Sequence, residues 1–499
     1  MKKSLLFLII SSISSCFISD DKSEKLLFEE SKTILNTLQD KIYINIYMDG
    51  DLSPNFKVLQ SKTKEILTKF KNSSNKEVDF EFVSISEKTN EKEDIIYNPL
   101  SSQGIHPIWV ENKENYHKIY PYAVVNFREK SLPFLLYNSL FYDTISELTE
   151  EELNKSINYL EYNFIESLYL VQQIEKKKIA FLTGNGQLDS INTWDIRNTL
   201  SKFYDVDFFD LRSFELDSKT NKPDIWKQIE RLKKYECIVI AKPSKKFFEM
   251  DKFLIDQFIM NGGKTFWLID GTTADMNNFN GNLEFEIYEN NLELDDYLSN
   301  YGAKINKDLI LDQICVKSPV YIKDEIAYLN WKYKPKLSTN PIHVIGKLED
   351  TLLTDFVSSV TVTQPDKSTI LLSSSAESNI KTCGEKVSFD IVKQKSTSFV
   401  GKKPTSVLLE GEFNSNYSDI LHEKIKINIK KNKMILVSDG DIIANLHNPP
   451  NFYFPLGYYH FGRNVFDGNT NFILNSIQYL CDDEILIKLL NKTKLNEKR

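Results

Sequence analysis

"GGKTFWLIDGTTAD", residues Gly262 to Asp275, decides how the rest of the chain reads. A glycine pair ends the helical stretch before it, because glycine tolerates the left-handed backbone that a helix C-terminus needs. The run from Lys264 to Asp270 is too short for a helix and apolar at consecutive positions. Such a strand is covered on both faces, as in a parallel sheet between two helical layers. Asp270-Gly271 then turns the chain.

The same rhythm recurs on either side. "EKKKIAFLTGNGQLDS" (175–190), "DVDFFDL" (205–211), "YECIVIAKP" (235–243) and "NKMILVSDGDII" (432–443) read as buried strands leading into turns. "DIRNTLSKF", "DKFLIDQFIMNGG" and "NTNFILNSIQYLCDD" carry helical spacing between or after them. These segments predict an α/β domain with a doubly wound parallel sheet, split into residues 175–280 and 431–483. The interruption, residues 281–430, alternates in "YIKDEIAYLNWKY", "DFVSSVTVTQ", "STILLSSS" and "SVLLEGEFNS" and shows no strong helix, so a β-rich insertion is expected. Upstream, "KIYINIYMDG", "FKVLQSKTKEILTKFK" and "VDFEFVSI" give β, α, β. A hairpin around Arg128 to Lys130 and a helix from about Glu150 follow, an order compatible with a small thioredoxin-like α/β domain over 26–174. His106-Pro107 falls where such folds often place a cis proline. Residues 484–499 read as a polar tail.

The chain has 499 residues, 41% of them hydrophobic, enough for substantial cores. Its 62 Lys+Arg and 70 Asp+Glu are interspersed and sum to a net charge of -8, which speaks against a nucleic-acid surface. The five cysteines, at 16, 237, 315, 383 and 481, form no C-x-x-C, so neither a zinc ribbon nor a dithiol redox pair is written here. "MKKSLLFLIISSISSCFISDD" places two lysines before an apolar stretch of about 15 residues, roughly 22 Å as a helix against about 30 Å of hydrocarbon. Residues 1–25 therefore read either as a signal peptide whose Ile13-Ser14-Ser15-Cys16 is a lipobox with Cys16 lipidated, or as an uncleaved membrane anchor. Both place a tether at the N-terminus and the bulk in the periplasm, more naturally at the inner than the outer membrane.

In open parallel sheets, ligands sit over the carboxyl ends of the strands. Four turns are expected there: Gly184-Asn185-Gly186-Gln187, Lys242-Pro243-Ser244, Asp270-Gly271-Thr272 and Asp439-Gly440-Asp441. The low-specificity ligand candidates are thus Gly184, Asn185, Gly186, Gln187, Asp270, Gly271, Asp439, Gly440 and Asp441. "TGNGQLDS" lacks the third glycine or the lysine of a phosphate cradle, and a tight strand-to-helix turn accounts for it. Asp439 and Asp441 could pair over a metal or act as general acids, yet aspartates beside glycine are also ordinary turn chemistry. Where α/β hydrolases and amidotransferases place a nucleophile in G-x-[SC]-x-G, this chain has Thr272 and Thr273. The six histidines form no H-E-x-x-H, although His447 and His460 follow the Asp439 strand, where a triad histidine often falls. No catalytic residue, metal ligand set or cofactor is assigned.

"EESKTILNTLQDKIYINIYMDGDLSPNFKVLQSKTKEIL", "KKKIAFLTGNGQLD", "IAKPSKKFFEMDKFLIDQFIMNGGKTFWLIDG", "SVLLEGEFNS", "LVSDGDII" and "NFILNSIQYLCDD" together resemble the gliding-motility-associated GldG family of Bacteroidetes, over nearly the whole chain after residue 17. The resemblance implies a non-catalytic, membrane-anchored extracytoplasmic auxiliary component of an ABC-type transporter. It further implies partners in a separate ABC permease and ATPase, and a thioredoxin-like domain followed by one similar to class I glutamine amidotransferases without its cysteine. The family pattern has a longer N-terminal span and a second hydrophobic segment beyond the position of Cys481. Here the sequence reads "CDDEILIKLLNKTKLNEKR", so a two-anchor topology is not carried over. The competing expectations are an envelope carbohydrate-binding or structural module, and a hydrolase relative using Asp439 and Asp441.

Overall fold

The computed structural model describes residues 26–497 except 76, 85–99, 113–114, 138–143, 146–147, 323–324, 349–350, 393–397, 421 and 451. Cys16 and the expected signal or anchor segment lie outside the described residues. Among those described, no helix is long and apolar enough to cross a membrane.

The N-terminal unit is built on strand Ile42–Ile46, whose Ile42, Ile44 and Ile46 are fully buried. It pairs in parallel with Val78–Phe82, across helix Pro54–Ser73, and antiparallel with Tyr122–Phe127. That strand forms a hairpin with Lys130–Leu135, with Arg128 at φ 53 in the tight turn. Helix Glu150–Gln172 packs behind it, opened by a reciprocal Thr149–Glu152 capping box and three acidic residues in the first turn. Its buried Glu161 accepts hydrogen bonds from the Phe28 backbone N–H at 2.8 Å and the Ser31 hydroxyl at 2.6 Å, fixing helix Glu29–Asn36 to it. The cis peptide in the described chain is Pro449–Pro450; His106–Pro107 is trans.

The second sheet has eight strands. In spatial order they are Ser338–Thr339, Ser368–Ser373, Pro404–Asn414, Asn428–Val437, Lys264–Leu268, Cys237–Ala241, Lys178–Thr183 and Asp205–Asp210. The last five are mutually parallel, as their consecutive apolar residues require, and take the order 2-1-3-4-5. Side chains alternate between two cores. Phe266, Leu268 and Ile435 face the layer with helices Trp194–Ser201 and Gly468–Leu480, while Trp267, Ile240 and Leu436 face helices Ile225–Leu232 and Glu249–Met260.

Three expectations change. The sheet is mixed, because Pro404–Asn414, Ser368–Ser373 and Ser338–Thr339 add to it antiparallel. Residues 281–430 are therefore only partly an insertion: three of their strands belong to the main sheet. Much of the remainder gathers around Leu309, Trp331, Tyr333, Phe356 and Val387, whereas a short helix, Asp295–Tyr301, packs into the core of the main sheet. Finally, the polar tail is helix Glu484–Glu497, with Leu486, Ile487 and Leu489 buried and Lys492 paired to Glu30 at 2.7 Å. Leu486, Ile487 and Leu489 are the residues that close the core, while Leu495 stays exposed.

Candidate functional site

The four turns do gather at the carboxyl edge of the parallel strands, but they form two separate groups. At the switch point, between the first and third strands in chain order, Gly184 and Gly186 adopt φ 114 and 69. The Asn185 carbonyl accepts the Ser244 and Lys245 N–H groups, and the Ser244 hydroxyl donates to the Gly186 carbonyl at 2.9 Å. A Cβ on Gly186 would lie 2.3 Å from that hydroxyl, so close contact between loops explains the glycine. Gln187 accepts the Asn185 N–H at 2.8 Å, and the Asn185 amide donates to Asp251 at 2.9 Å, which Arg212 pairs at 2.7 Å. Gly184 to Gln187 thus lock one loop to the next.

The other group is an ion network. Strand Lys264–Leu268 delivers Asp270, and strand Asn428–Val437 delivers Asp439 and Asp441. Carboxylate oxygens of these three lie within 4.8 Å of one another. Asp270 accepts the Gly440 N–H at 2.6 Å; Asp439 accepts those of Asp441 at 2.7 Å and Asp355 at 3.0 Å. Lys242, from the turn after the third strand, sends its Nζ to Asp441 at 2.5 Å, Asp270 at 3.6 Å and Asp275 at 3.8 Å. Gly440 must be glycine here, since a Cβ would sit 2.6 Å from Lys242 Cβ. Gly271 is pressed against the Asn306 carbonyl and bonded through its N–H to the Ser358 hydroxyl at 3.2 Å.

Burial sets the protonation. It pushes Asp439 well above the usual carboxylate range, helped by the charges of Asp441 and Asp270. It raises Asp270 to about 7 even though Lys242 and the Gly440 N–H pull the other way. For Lys242 burial opposes the charge, but Asp441, Asp270 and Asp275 outweigh it and hold the ammonium protonated. A second pair, Lys334–Asp355 at 2.5 Å, enters from the β-rich segment, and burial lifts Asp355 to about 6.

Thr272 is buried, and its hydroxyl accepts the Ala274 N–H at 3.3 Å. Asp439 is engaged by backbone on both oxygens. His447 packs at a tilt against Tyr453, with ring centroids 4.7 Å apart, while His460 lines a neighbouring cleft. That cleft, about 270 Å³, opens between the β-rich segment and the 444–461 loop, with Lys334, Asp355 and Asp441 on its floor. Lys334 and Asp355 carry no local sequence signal: the lysine between the buried aromatics of "NWKYKP" is Lys332, and Lys334 sits between Tyr333 and Pro335.

A family model described as an ABC-type uncharacterized transport system matches residues 176–476, which takes in both groups of turns and the cleft. The chain belongs to that family of transport-system auxiliaries. A second model, of a domain of unknown function, matches residues 26–126 of this ABC-type transport auxiliary. Among solved structures, the auxiliary is similar to the mmIFT52 N-terminal domain at 13% identity and a TM-score of 0.36, covering 61% of this chain and 97% of that one. It is also similar to a thua-like protein from Parabacteroides merdae ATCC 43184 at 11% identity and a TM-score of 0.27, covering 62% and 91%. No curated protein matches it.

Proposed function

We propose that this chain is a non-catalytic, membrane-anchored extracytoplasmic auxiliary of an ABC-type transporter associated with gliding motility. The observation that carries the reading is how the sheet-edge carboxylates are used. Both oxygens of Asp439 accept backbone N–H groups, and Asp270 and Asp441 hold Lys242, so groups that would serve a nucleophile join loops instead. ATP hydrolysis then belongs to a partner ATPase, and translocation to a permease. The parallel β-α-β pair followed by an antiparallel hairpin supports a thioredoxin-like unit over 26–174. The 2-1-3-4-5 order supports an amidotransferase-like unit over 175–280 and 431–483. Cys16 or the helix around it supplies the tether, with the bulk in the periplasm.

The test is affinity purification of the tagged full chain from detergent-solubilised membranes. A permease and an ATPase should come with it; their consistent absence across several mild detergents would sink the proposal. Intact mass of the N-terminal peptide decides between acylated Cys16 and an uncleaved helix.

A further inference from the structure

We infer that the cleft beside the Lys242 network binds the end of an uncharged, polyhydroxylated ring chain, a neutral glycan, with one ring inside and the next on the aromatic loop outside. This rests on the reading above that the site binds rather than catalyses. Two unlike surfaces meet in the cleft. Trp331, Phe389, Tyr458, Tyr459 and Phe461 provide aromatic walls, and Lys334, Asp355 and Asp441 a polar floor. The volume of about 270 Å³ suits one ring.

Charge selects among occupants. Lys334 is paired with Asp355 and Lys242 with Asp441, each at 2.5 Å. An entering anion meets two carboxylates and an entering cation meets the Lys334 ammonium, so neither finds an unpaired counter-charge. A wholly apolar occupant would strip water from those ions without replacing its hydrogen bonds, which is costly. A hydroxyl both donates and accepts. The floor offers both complements, since an ammonium has three donors and a carboxylate about four acceptor sites. Asp355 Oδ1 and Trp331 Nε1, in the same walls, have no hydrogen-bond partner. The apolar face of a ring meets the aromatic walls.

The continuation outside is written in "FYFPLGYYHF". Phe452 and Phe461 are 57% and 50% exposed, and Phe454 stacks on Tyr458 with centroids 4.4 Å apart and planes at 14°. A row of aromatic faces leading from a cavity that holds one ring provides platforms for further rings, which distinguishes a chain end from a free monosaccharide.

The full chain, in a detergent without a sugar headgroup, is titrated with neutral oligosaccharides and their methyl monosaccharides, read by tryptophan fluorescence and saturation-transfer NMR. Saturable binding is expected, about tenfold tighter for the oligosaccharide. Phe452→Ala, at an exposed position outside the cleft, should abolish that advantage with parental melting. Asp355→Asn should weaken both ligands about tenfold. Absence of binding to any neutral saccharide, equal affinity in all variants, or preference for an anionic sugar or an aromatic peptide would each overturn the inference. Recovery of the permease and ATPase with the same preparations tells its failure apart from failure of the transporter assignment.

Discussion

Replacing Lys242 with methionine keeps the length of the side chain and removes the one ammonium that reaches Asp270, Asp275 and Asp441 together. Taking one partner from a buried ionic group costs about 3–5 kcal/mol, and a side chain 21% exposed belongs near the lower end, so about 3 kcal/mol is expected at pH 8. The loss should depend on pH in a definite direction. Without the ammonium, the crowded carboxylates shed charge only by holding protons. The deficit therefore shrinks on acidification, by up to about 1.4 kcal/mol per pH unit for each proton that the variant retains and the parent releases. Because oxygens of Asp270, Asp439 and Asp441 lie within 4.8 Å of one another, millimolar Mn²⁺ or Ca²⁺ should restore part of the stability in the variant and little in the parent. Urea unfolding of the full chain in detergent at pH 8 and pH 5, with and without the cation, reads all three effects. A variant with the parental midpoint at pH 8 would refute the argument that Lys242 neutralises a buried cluster.

Asp270 holds a proton in the folded state up to about pH 7, whereas its ordinary value is 3.8. Between those limits the folded state binds the extra proton, so stability falls as pH rises through the window and levels off above it. Asp270→Asn should reduce that slope, leaving the contributions of Asp439 and Asp355, whose carboxyls burial also raises, as seen in midpoints collected from pH 4 to 8. Asp251→Ala removes acceptors from Arg212, Asn185 and the Phe248 N–H at once and should cost about 2–3 kcal/mol, with faster amide exchange in the 184–187 loop as the check. Leu489→Ala should destabilise by about 2–5 kcal/mol in thermal or urea unfolding, because its side chain is fully buried; a loss under 0.5 kcal/mol, about that of a surface change, would mean the C-terminal helix does not close the core.

The parallel strands were legible because burial on both faces leaves a continuous apolar run, as in Cys237 to Ala241 and Phe266 to Leu268. The turns at their ends were legible for the same reason, and so was the meeting of Asp270 with Asp439 and Asp441. Residues joined only by tertiary pairing were not. Nothing local in "STILLSSS" or "SVLLEGEFNS" says that these strands pair onto the edge of the parallel sheet and not within their own segment, since alternation fits either placement. Helix Glu484–Glu497 reads as polar because its lysines outnumber its acids, while its burial depends on the helices that pack against it, Glu150–Gln172 and Gly468–Leu480. Lys334, on strand Glu325–Pro335, and Asp355, in a loop, come together from positions 21 apart, a distance that no spacing rule covers.

Pro404–Asn414 and Asn428–Val437 run side by side through much of the sheet, from Ser406 opposite Val437 to Asn414 opposite Asn428. The strands of the β-rich segment that join the main sheet are consequently riveted into the same plane as the strands that carry Asp270 and Asp439. Asp441, on the floor of the cleft, follows closely on the braced strand Asn428–Val437, so the sheet acts as an anvil behind the cleft.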